Sequence, residues 1–429
     1  MGELAADRPK PMLPIGGRPV LARQIDLAAQ AGLHRVEVLT GWRSEVIERE
    51  LPSLAPHGTE LAILREPEPA GSGGCLRLLP DPEVPRLVML GDLLVQMDLG
   101  ALLAFHESAR RESGALATVV VHPNDHPADS DLVEAGPDGR IRRLHRKPHP
   151  EGLIAPNRVI AGVFLLEPEA LRAVPPQGAA DLVQVVLGGL IERGAPVYAY
   201  TTTEYLKDMG TPKRYAQARR DLERGAVEAR HRRHPRPTAF LDRDGTLNHH
   251  VGYLTRAEEL RLLPGAAEAV RRLNHAGALA VVVTNQPVLA RGMCTEPDLE
   301  RIHARMEMEL GRHGAFLDRI YHCPHHPDAG FAGEVPALKV ACDCRKPAPG
   351  MIELAARELP VDLSRSALFG DSRRDVETAL RAGIEPWLLG GEDVESGENG
   401  ERGMGLPAEV RRAPDLAGAV DRWLGRGDA

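Results

Sequence analysis

Short β-branched runs alternate with amphipathic, helix-length stretches along the whole chain, and this alternation restricts the fold more than any other feature. HRVEVLT, PRLVMLGD, ALATVVVH and RVIAGVFLL fall in the first half, and TAFLDRDG, ALAVVVTNQ and SALFGDS in the second. Strands spaced this way build parallel sheets covered by helices, so the expected fold class is α/β. A chain of 429 residues, 43% of them hydrophobic, is too long for one ordinary core. It suits two domains of roughly 200 residues each. Each is expected to be a mainly parallel, Rossmann-like sheet flanked by helices. PKRYAQARRDLERGAVEAR (212–230) reads as a charged helix, and in HRRHPRP (231–237) proline and basic residues replace periodicity. The expected domains are therefore 1–222 and 238–429, joined by a linker at 223–237. GGEDVESGENGERGMG (390–405) reads as a mobile loop before a last helix, DLAGAVDRWL.

Formal net charge is -8 with both signs interspersed, which gives no electrostatic footprint for nucleic acid or an anionic membrane. The basic run HRRHPRP is short and has no aromatic partners, as expected of a solvated linker. No stretch approaches the roughly 18 apolar residues of a membrane span, and MGELAADRPKPMLP lacks the regions of a signal peptide. The expectation is a cytoplasmic enzyme with small-molecule partners. Five cysteines do not make a disulfide framework. Cys323, Cys342 and Cys344 cluster beside histidines, which points to metal.

In the second half, TAFL runs straight into Asp242-Arg243-Asp244-Gly245-Thr246-Leu247, placing two carboxylates at i and i+2 where a strand ends. Open α/β sheets bind ligands at such ends. Hydrolysis of an anionic phosphate monoester needs a nucleophile, a cation and an acid for the leaving oxygen, and two aspartates supply the first and the last. A lone D-x-D also serves as a turn or a helix cap. Three further strand ends follow, however. ALAVVV leads to Thr284-Asn285-Gln286, whose hydroxyl and backbone donors suit a phosphoryl oxygen. Arg345-Lys346-Pro347 offers positive charge, and SALF leads to Gly370-Asp371-Ser372 with Asp375 a helical turn on.

D-x-D-G-T, T-N-Q, K-P and G-D-S-x-x-D in this order resemble the haloacid-dehalogenase superfamily of phosphohydrolases. The resemblance implies that Asp242 attacks phosphorus and that Asp244 protonates the leaving alcohol and then activates water. It also implies that Thr284 and Lys346 hold the phosphoryl group, with Asn285 beside them. Asp242, the Asp244 carbonyl and Asp371 would coordinate Mg2+. Asp375 is expected to orient Lys346 or the metal shell, although a surface helix carboxylate reads the same way.

Tyr321-His322-Cys323-Pro324-His325-His326-Pro327 and Cys342-Asp343-Cys344 together provide C-x-H and C-x-C pairs, which fit a tetrahedral zinc site. Buried free thiols are the other reading of that spacing. CPHHP…CDCRKP resembles the zinc loop of the histidinol-phosphatase and D,D-heptose 1,7-bisphosphate phosphatase branch. The resemblance implies Cys323, His325, Cys342 and Cys344 as ligands of a structural Zn2+. Sequence leaves His322 and His326 open as alternatives. DRDGTLN, H-x-GY-L and TNQ…ARG resemble the heptose enzymes more than the histidinol ones, over residues 238 to about 390. Arg291 and Arg345 would then contact a second phosphate, because an arginine fork binds it bidentately. Gln286-Pro287-Val288-Leu289 departs from the small Ser-Gly pair usual there.

RPKPMLPIGGRPV (8–20), REPEPAGSGG (65–74), MLGD, RKP, IAGVF and KDMGTP occur in an order that resembles sugar-1-phosphate nucleotidyltransferases over about 7–220. Asp92 and Asp208 then stand where that family binds magnesium, Lys10 would contact phosphate, and Lys147 the sugar phosphate. The family's first strand and G-G-x-G-T-R loop, which cradles a nucleoside triphosphate, have no counterpart in this sequence. That leaves HRVEVLT expected to lack a neighbour and the domain expected to be unstable. Survival of Asp92, Asp208 and Lys10 favours a start codon placed too far downstream over a remnant that binds or scaffolds. The combined expectation is a phosphatase acting on the 7-phosphate of a heptose 1,7-bisphosphate, fused to an enzyme that couples the resulting 1-phosphate to a nucleotide. The alternative is a histidinol-phosphate or other sugar-phosphate phosphatase with a non-catalytic N-terminal module.

Overall fold

The computed structural model describes residues 7–330, 332–390 and 407–425, so the acidic loop expected at 390–405 lies, beyond Gly390, outside the described residues. Two compact units are present. The first comprises Met1–His122, Asp131–Arg146 and Arg158–Arg232, and the second Pro123–Ser130, Lys147–Asn157 and Arg233–Ala429.

The first unit is α/β, but its six-stranded sheet is mixed. Strand Val197–Thr201 runs parallel to Ala117–His122, whereas Val159–Leu166 runs antiparallel to Ala117–His122, Arg86–Met89 and Leu132–Ala135. Phe164, Leu166, Val119 and Val121 are buried in its core. HRVEVLT does have a neighbour: Arg35–Thr40 pairs in parallel with Glu60–Arg65, from Arg35↔Glu60 to Thr40↔Arg65. This corrects the expectation drawn from the first-strand motif, because the following strand supplies the partner. A further pair joins Leu93–Gln96 to Tyr205–Asp208 antiparallel. The charged stretch 212–230 is two helices, Pro212–Glu223 and Ala226–Ala229, broken at Gly225 with φ +74°. Glycine enters that left-handed region without a Cβ clash.

The second unit holds strands β1 (Thr238–Leu241), β2 (Leu279–Asn285), β3 (Arg319–Cys323), β4 (Ala367–Gly370), β5 (Glu385–Leu389) and β6 (Arg411–Ala413), in the order β3-β2-β1-β4-β5-β6. Every neighbouring pair is parallel. The helices are α1 (Ala266–Ala276), α2 (Glu296–Arg312), α3 (Gly350–Glu358), α4 (Arg373–Ala382) and α5 (Leu416–Leu424). Side chains alternate across the sheet. Ala239, Leu241 and Phe369 pack with residues of α1, α2 and α5, and Phe240, Val281 and Leu368 pack with residues of α3 and α4. Strands covered on both faces read as continuous apolar runs, which is why TAFL and LAVVV show no polar alternation. Ile154, from the short segment Lys147–Asn157, packs on the first of these cores, and the Asn157 N–H donates to Glu307 on α2 at 3.2 Å. The strand order sets β1 between β2 and β4, so their C-terminal ends adjoin.

Candidate active site

The central cluster is assembled at those three ends. Asp242 directly follows β1, and its N–H donates to the Phe369 carbonyl of β4 at 2.9 Å. Lys346 is almost fully buried, and its Nζ donates to Asp242 Oδ1 at 2.7 Å and to Asp375 Oδ1 at 2.5 Å. Two hydrogen bonds to the Asn285 side-chain amide tie the Lys346 backbone to the end of β2. The Lys346 N–H donates to Asn285 Oδ1 at 2.9 Å, and Asn285 Nδ2 donates to the Lys346 carbonyl at 3.0 Å. Asp375 is also committed locally: with Ser372 it closes the capping box of α4. Asp371 stands at the end of β4, and a Cβ on Gly245 (φ +84°) would run into its carboxylate. Only a glycine lets the loop after β1 pass so near.

Asp242, Asp371 and Asp375 each place a carboxylate oxygen within 4.8 Å of the others. Burial pushes Asp242 up to about 7, against the pull of Lys346 and with the repulsion of Asp375 and Asp371. Asp371 is pushed up to about 6 by burial and then by Asp375. Burial alone would lower Lys346, but Asp242 and Asp375 outweigh it and hold the ammonium charged. One ammonium among these carboxylates leaves negative charge in excess, the donor set that a hard divalent cation fits.

Asp244 occupies a different environment. Its carboxylate accepts from Arg243 Nη2 at 2.7 and 3.0 Å, from Asn248 Nδ2 at 2.9 Å and from Gln286 Nε2 at 3.0 Å. Burial works against its ionisation, yet Arg243 and these donors hold it below the usual carboxylate range. Gln286 Nε2 also donates to the buried Thr284 Oγ1 at 2.9 Å.

A second cluster follows β3. Cys323 Sγ lies 3.6 Å from Cys342 Sγ and 3.2 Å from Cys344 Sγ, which are 3.3 Å apart, and His325 Nδ1 lies 3.4 Å from Cys344 Sγ. Zinc–thiolate bonds of about 2.3 Å give tetrahedral edges of about 3.8 Å, so four donors this close suit that ion. The structure leaves out both alternative histidines. His322 Nε2 pairs with Glu296 at 2.9 Å, and His326 Nδ1 accepts the Asp328 N–H at 3.2 Å. Arg345 Nη1 donates to the His325 carbonyl at 3.1 Å, and the Arg291 guanidinium lies 4.9 Å from the centre of the Tyr253 ring. The loops carrying Arg291 and the cysteines are joined by the Val335 N–H, which donates to Ala290 O at 3.0 Å.

In the first unit, Asp92 and Asp208 lie at adjoining ends of an antiparallel pair, where the Met209 N–H donates to Asp92 O at 2.9 Å. Lys10 Nζ is 3.6 Å from Asp92, and Asp208 pairs with Arg214 at 2.9 Å. Lys147 belongs to the second unit, where its Nζ donates to Asp129 O at 3.2 Å.

Residues 2–225 match the family model of nucleotidyl transferases, and residues 167–383 that of haloacid dehalogenase-like hydrolases. The chain belongs to both families. A relative from Rhodopseudomonas palustris, D-glycero-beta-D-manno-heptose-1,7-bisphosphate 7-phosphatase, is 46% identical over 37% of this chain and 87% of its own length. The crystal structure of D,D-heptose 1.7-bisphosphate phosphatase from B. bronchiseptica with magnesium and phosphate is 36% identical, covering 44% of this chain and 99% of that one, with a TM-score of 0.38. HddC from Yersinia pseudotuberculosis is 19% identical, covering 51% of this chain and 92% of that one, with a TM-score of 0.42.

In the hydrolase half, sequence reasoning missed Arg243, Asn248 and His303. Arg243 stands between the two aspartates of the motif and Asn248 four residues after the second, so their proximity was legible. His303 was not, since it reaches the site from α2 through the fold alone.

Proposed function

We propose that the hydrolase half removes the 7-phosphate of D-glycero-β-D-manno-heptose 1,7-bisphosphate through an aspartyl-phosphate on Asp242. The reading rests on one observation above the others: the buried Lys346 ammonium bridges Asp242 and Asp375 where β1, β2 and β4 end. An Asp242 oxygen attacks phosphorus, the bond from phosphorus to the sugar O7 breaks, and Asp244, ionised at rest and taking up a proton as the anionic phosphate enters beside it, gives that oxygen its proton. Asp244 then takes a proton from water, whose oxygen attacks the acyl phosphate, releasing orthophosphate and restoring Asp242. Lys346 and Thr284 hold the phosphoryl oxygens, and Asn285 fixes Lys346 by its paired side-chain hydrogen bonds. Asp242, Asp371 and the Asp244 carbonyl are the residues to hold Mg2+, which when bound supplies positive charge to those oxygens.

Cys323, His325, Cys342 and Cys344 are the ligands we assign to Zn2+. With protein donors filling a tetrahedron the site is structural. Arg291 and Arg345, on loops joined to that site, are the residues to recognise the 1-phosphate. In the transferase half, Lys10, Asp92 and Asp208 supply the phosphate and Mg2+ contacts for a nucleoside triphosphate, and Lys147, which belongs to the other unit, is not assigned to that site. That half would convert the heptose 1-phosphate and a triphosphate to a nucleotide sugar and pyrophosphate.

Phosphate release from both heptose 1,7-bisphosphate anomers and from histidinol phosphate tests the reading. The β-anomer should yield one equivalent of orthophosphate and leave the 1-phosphate intact. Turnover of histidinol phosphate in preference to either anomer would replace the substrate assignment.

A further inference from the structure

Arg243 is 1% exposed, which makes it one of the largest fully buried side chains among the described residues. A guanidinium cannot shed its charge, so burying one is costly unless each N–H finds an acceptor. Its acceptors are specific. Nε and Nη2 fork onto Asp244, Nη2 also donates to Gln286 Oε1 at 2.9 Å, and Nη1 lies 3.4 Å from His303 Nε2. Arginine only donates, so His303 Nε2 is the acceptor and its ring proton sits on Nδ1. Burial, then Arg243, then His322 keep His303 neutral. Gln286 closes the circle by accepting from Arg243 while donating to both Asp244 Oδ2 and Thr284 Oγ1. The carboxylate of Asp244 is thereby fixed relative to the hydroxyl of Thr284 at the end of β2.

We propose that Arg243 is a positioning residue for Asp244: its buried fork, backed by His303 and coupled through Gln286 to Thr284, holds that carboxylate where it exchanges protons with the leaving oxygen and then with water. Arg243 touches no reacting atom and acts through Asp244. The inference rests on the aspartyl-phosphate reading and assigns a role to the residue between the two aspartates. A lysine keeps the charge but loses the planar fork, so it cannot hold both carboxylate oxygens at once.

Leaving-group dependence separates positioning from general damage. An aryl phosphate such as 4-nitrophenyl phosphate departs without a proton, whereas an alkyl phosphate needs one. In Arg243→Lys, kcat on the heptose bisphosphate should fall by about 10²-fold, the scale of general acid–base assistance. The first turnover of 4-nitrophenyl phosphate should stay within about threefold, because it bypasses the acid. A burst of one equivalent of nitrophenolate should then appear, since the acyl phosphate waits for a badly placed base. Gln286→Met, which keeps the side-chain volume, should show the same pattern more weakly, and it carries the test if Arg243→Lys does not fold. Equal losses on both substrates without a burst, or no loss on either, would overturn the proposal. Asp244→Asn distinguishes the two levels. Selective loss there with unchanged Arg243→Lys and Gln286→Met removes the positioning role alone, and equal losses there remove the acid–base reading together with it.

Discussion

Burial and two neighbouring carboxylates oppose the ionisation of Asp242 while the Lys346 ammonium favours it. Its carboxylate is thus held in a balance that substrate and cation tip, as expected of a nucleophile. Asp242→Asn should lower phosphate release on the order of 10⁴-fold or more. The fold should persist, because Asp375 remains as a partner for Lys346. The metal-free proteins add a pH signature. A carboxyl whose folded value is raised contributes stability that is present below its unfolded pKa and lost as pH rises through the folded one, here between 3.8 and about 7. The melting temperature of Asp242→Asn should therefore gain on that of the wild type across this window, and a constant difference would contradict the raised value. Asp242, Asp244, Thr284, Asn285 and Asp371 were legible because they lie at or just after strand ends, where local spacing and function coincide, and Lys346 because it stands in a K-P motif of the following loop. His303 was not: it meets Arg243 only because α2 packs across the sheet, and a histidine on an amphipathic helix carries no mark of that contact.

At the scale of elements, the cysteine loop leaves apolar side chains of its own, Val335 and Val340, exposed rather than packed. Between β3 and α3, among the described residues, it forms only the short turn Pro336–Leu338. Its anchors are the cysteine cluster, the Val335 bond to Ala290, and the close approach of Gly292 to the Gly333 carbonyl, where a Cβ would not fit. Arg345 directly follows Cys344, so a loop that loses its clamp also releases the cation assigned to the second phosphate. Cys344→Ser should lower bound zinc to well below one equivalent, since structural sites contribute on the order of 10 kcal/mol. It should raise KM for the bisphosphate by about tenfold or more while changing KM for a monophosphate little, one lost charged contact being worth about 1.5–3 kcal/mol. Full metal content by elemental analysis would reject the ligand set, and equal KM changes would reject the loop's role in recognition. The pairs C-x-H and C-x-C exposed this element in the sequence. Strand direction was not exposed in the same way: RVIAGVFLL is an apolar run whether its neighbours are parallel or antiparallel, and pairing is decided by partners distant in the chain. Gly225 was legible as a breaker, and the continuous helix expected over 212–230 gave it too little weight.

For the whole molecule, the two activities proposed for one chain would make a chemical sequence: a phosphatase that spares the 1-phosphate leaves the group a nucleotidyltransferase attacks with. The sharing of product requires no contact between the units, only that the intermediate dissociate from one site and bind the other. Two variants resolve the order. Supplied with heptose 1,7-bisphosphate, a nucleoside triphosphate and Mg2+, the wild type should release orthophosphate first and pyrophosphate after a lag. Asp242→Asn should release neither, and adding heptose 1-phosphate should restore pyrophosphate alone. Asp92→Asn should show the converse, orthophosphate at the wild-type rate with no pyrophosphate, because Asp92 lies at the end of the Leu93–Gln96 and Tyr205–Asp208 pair, in the other unit from Asp242. If the wild type hydrolyses the bisphosphate and releases no pyrophosphate with any common triphosphate, the transferase half acts by binding rather than by catalysis. The acid and lysine at Asp92, Asp208 and Lys10 would then serve the ion pairs Lys10–Asp92 and Asp208–Arg214. Both pairs are partly exposed, and such pairs contribute about 1 kcal/mol or less, so Asp92→Asn would then leave stability nearly unchanged and every activity intact.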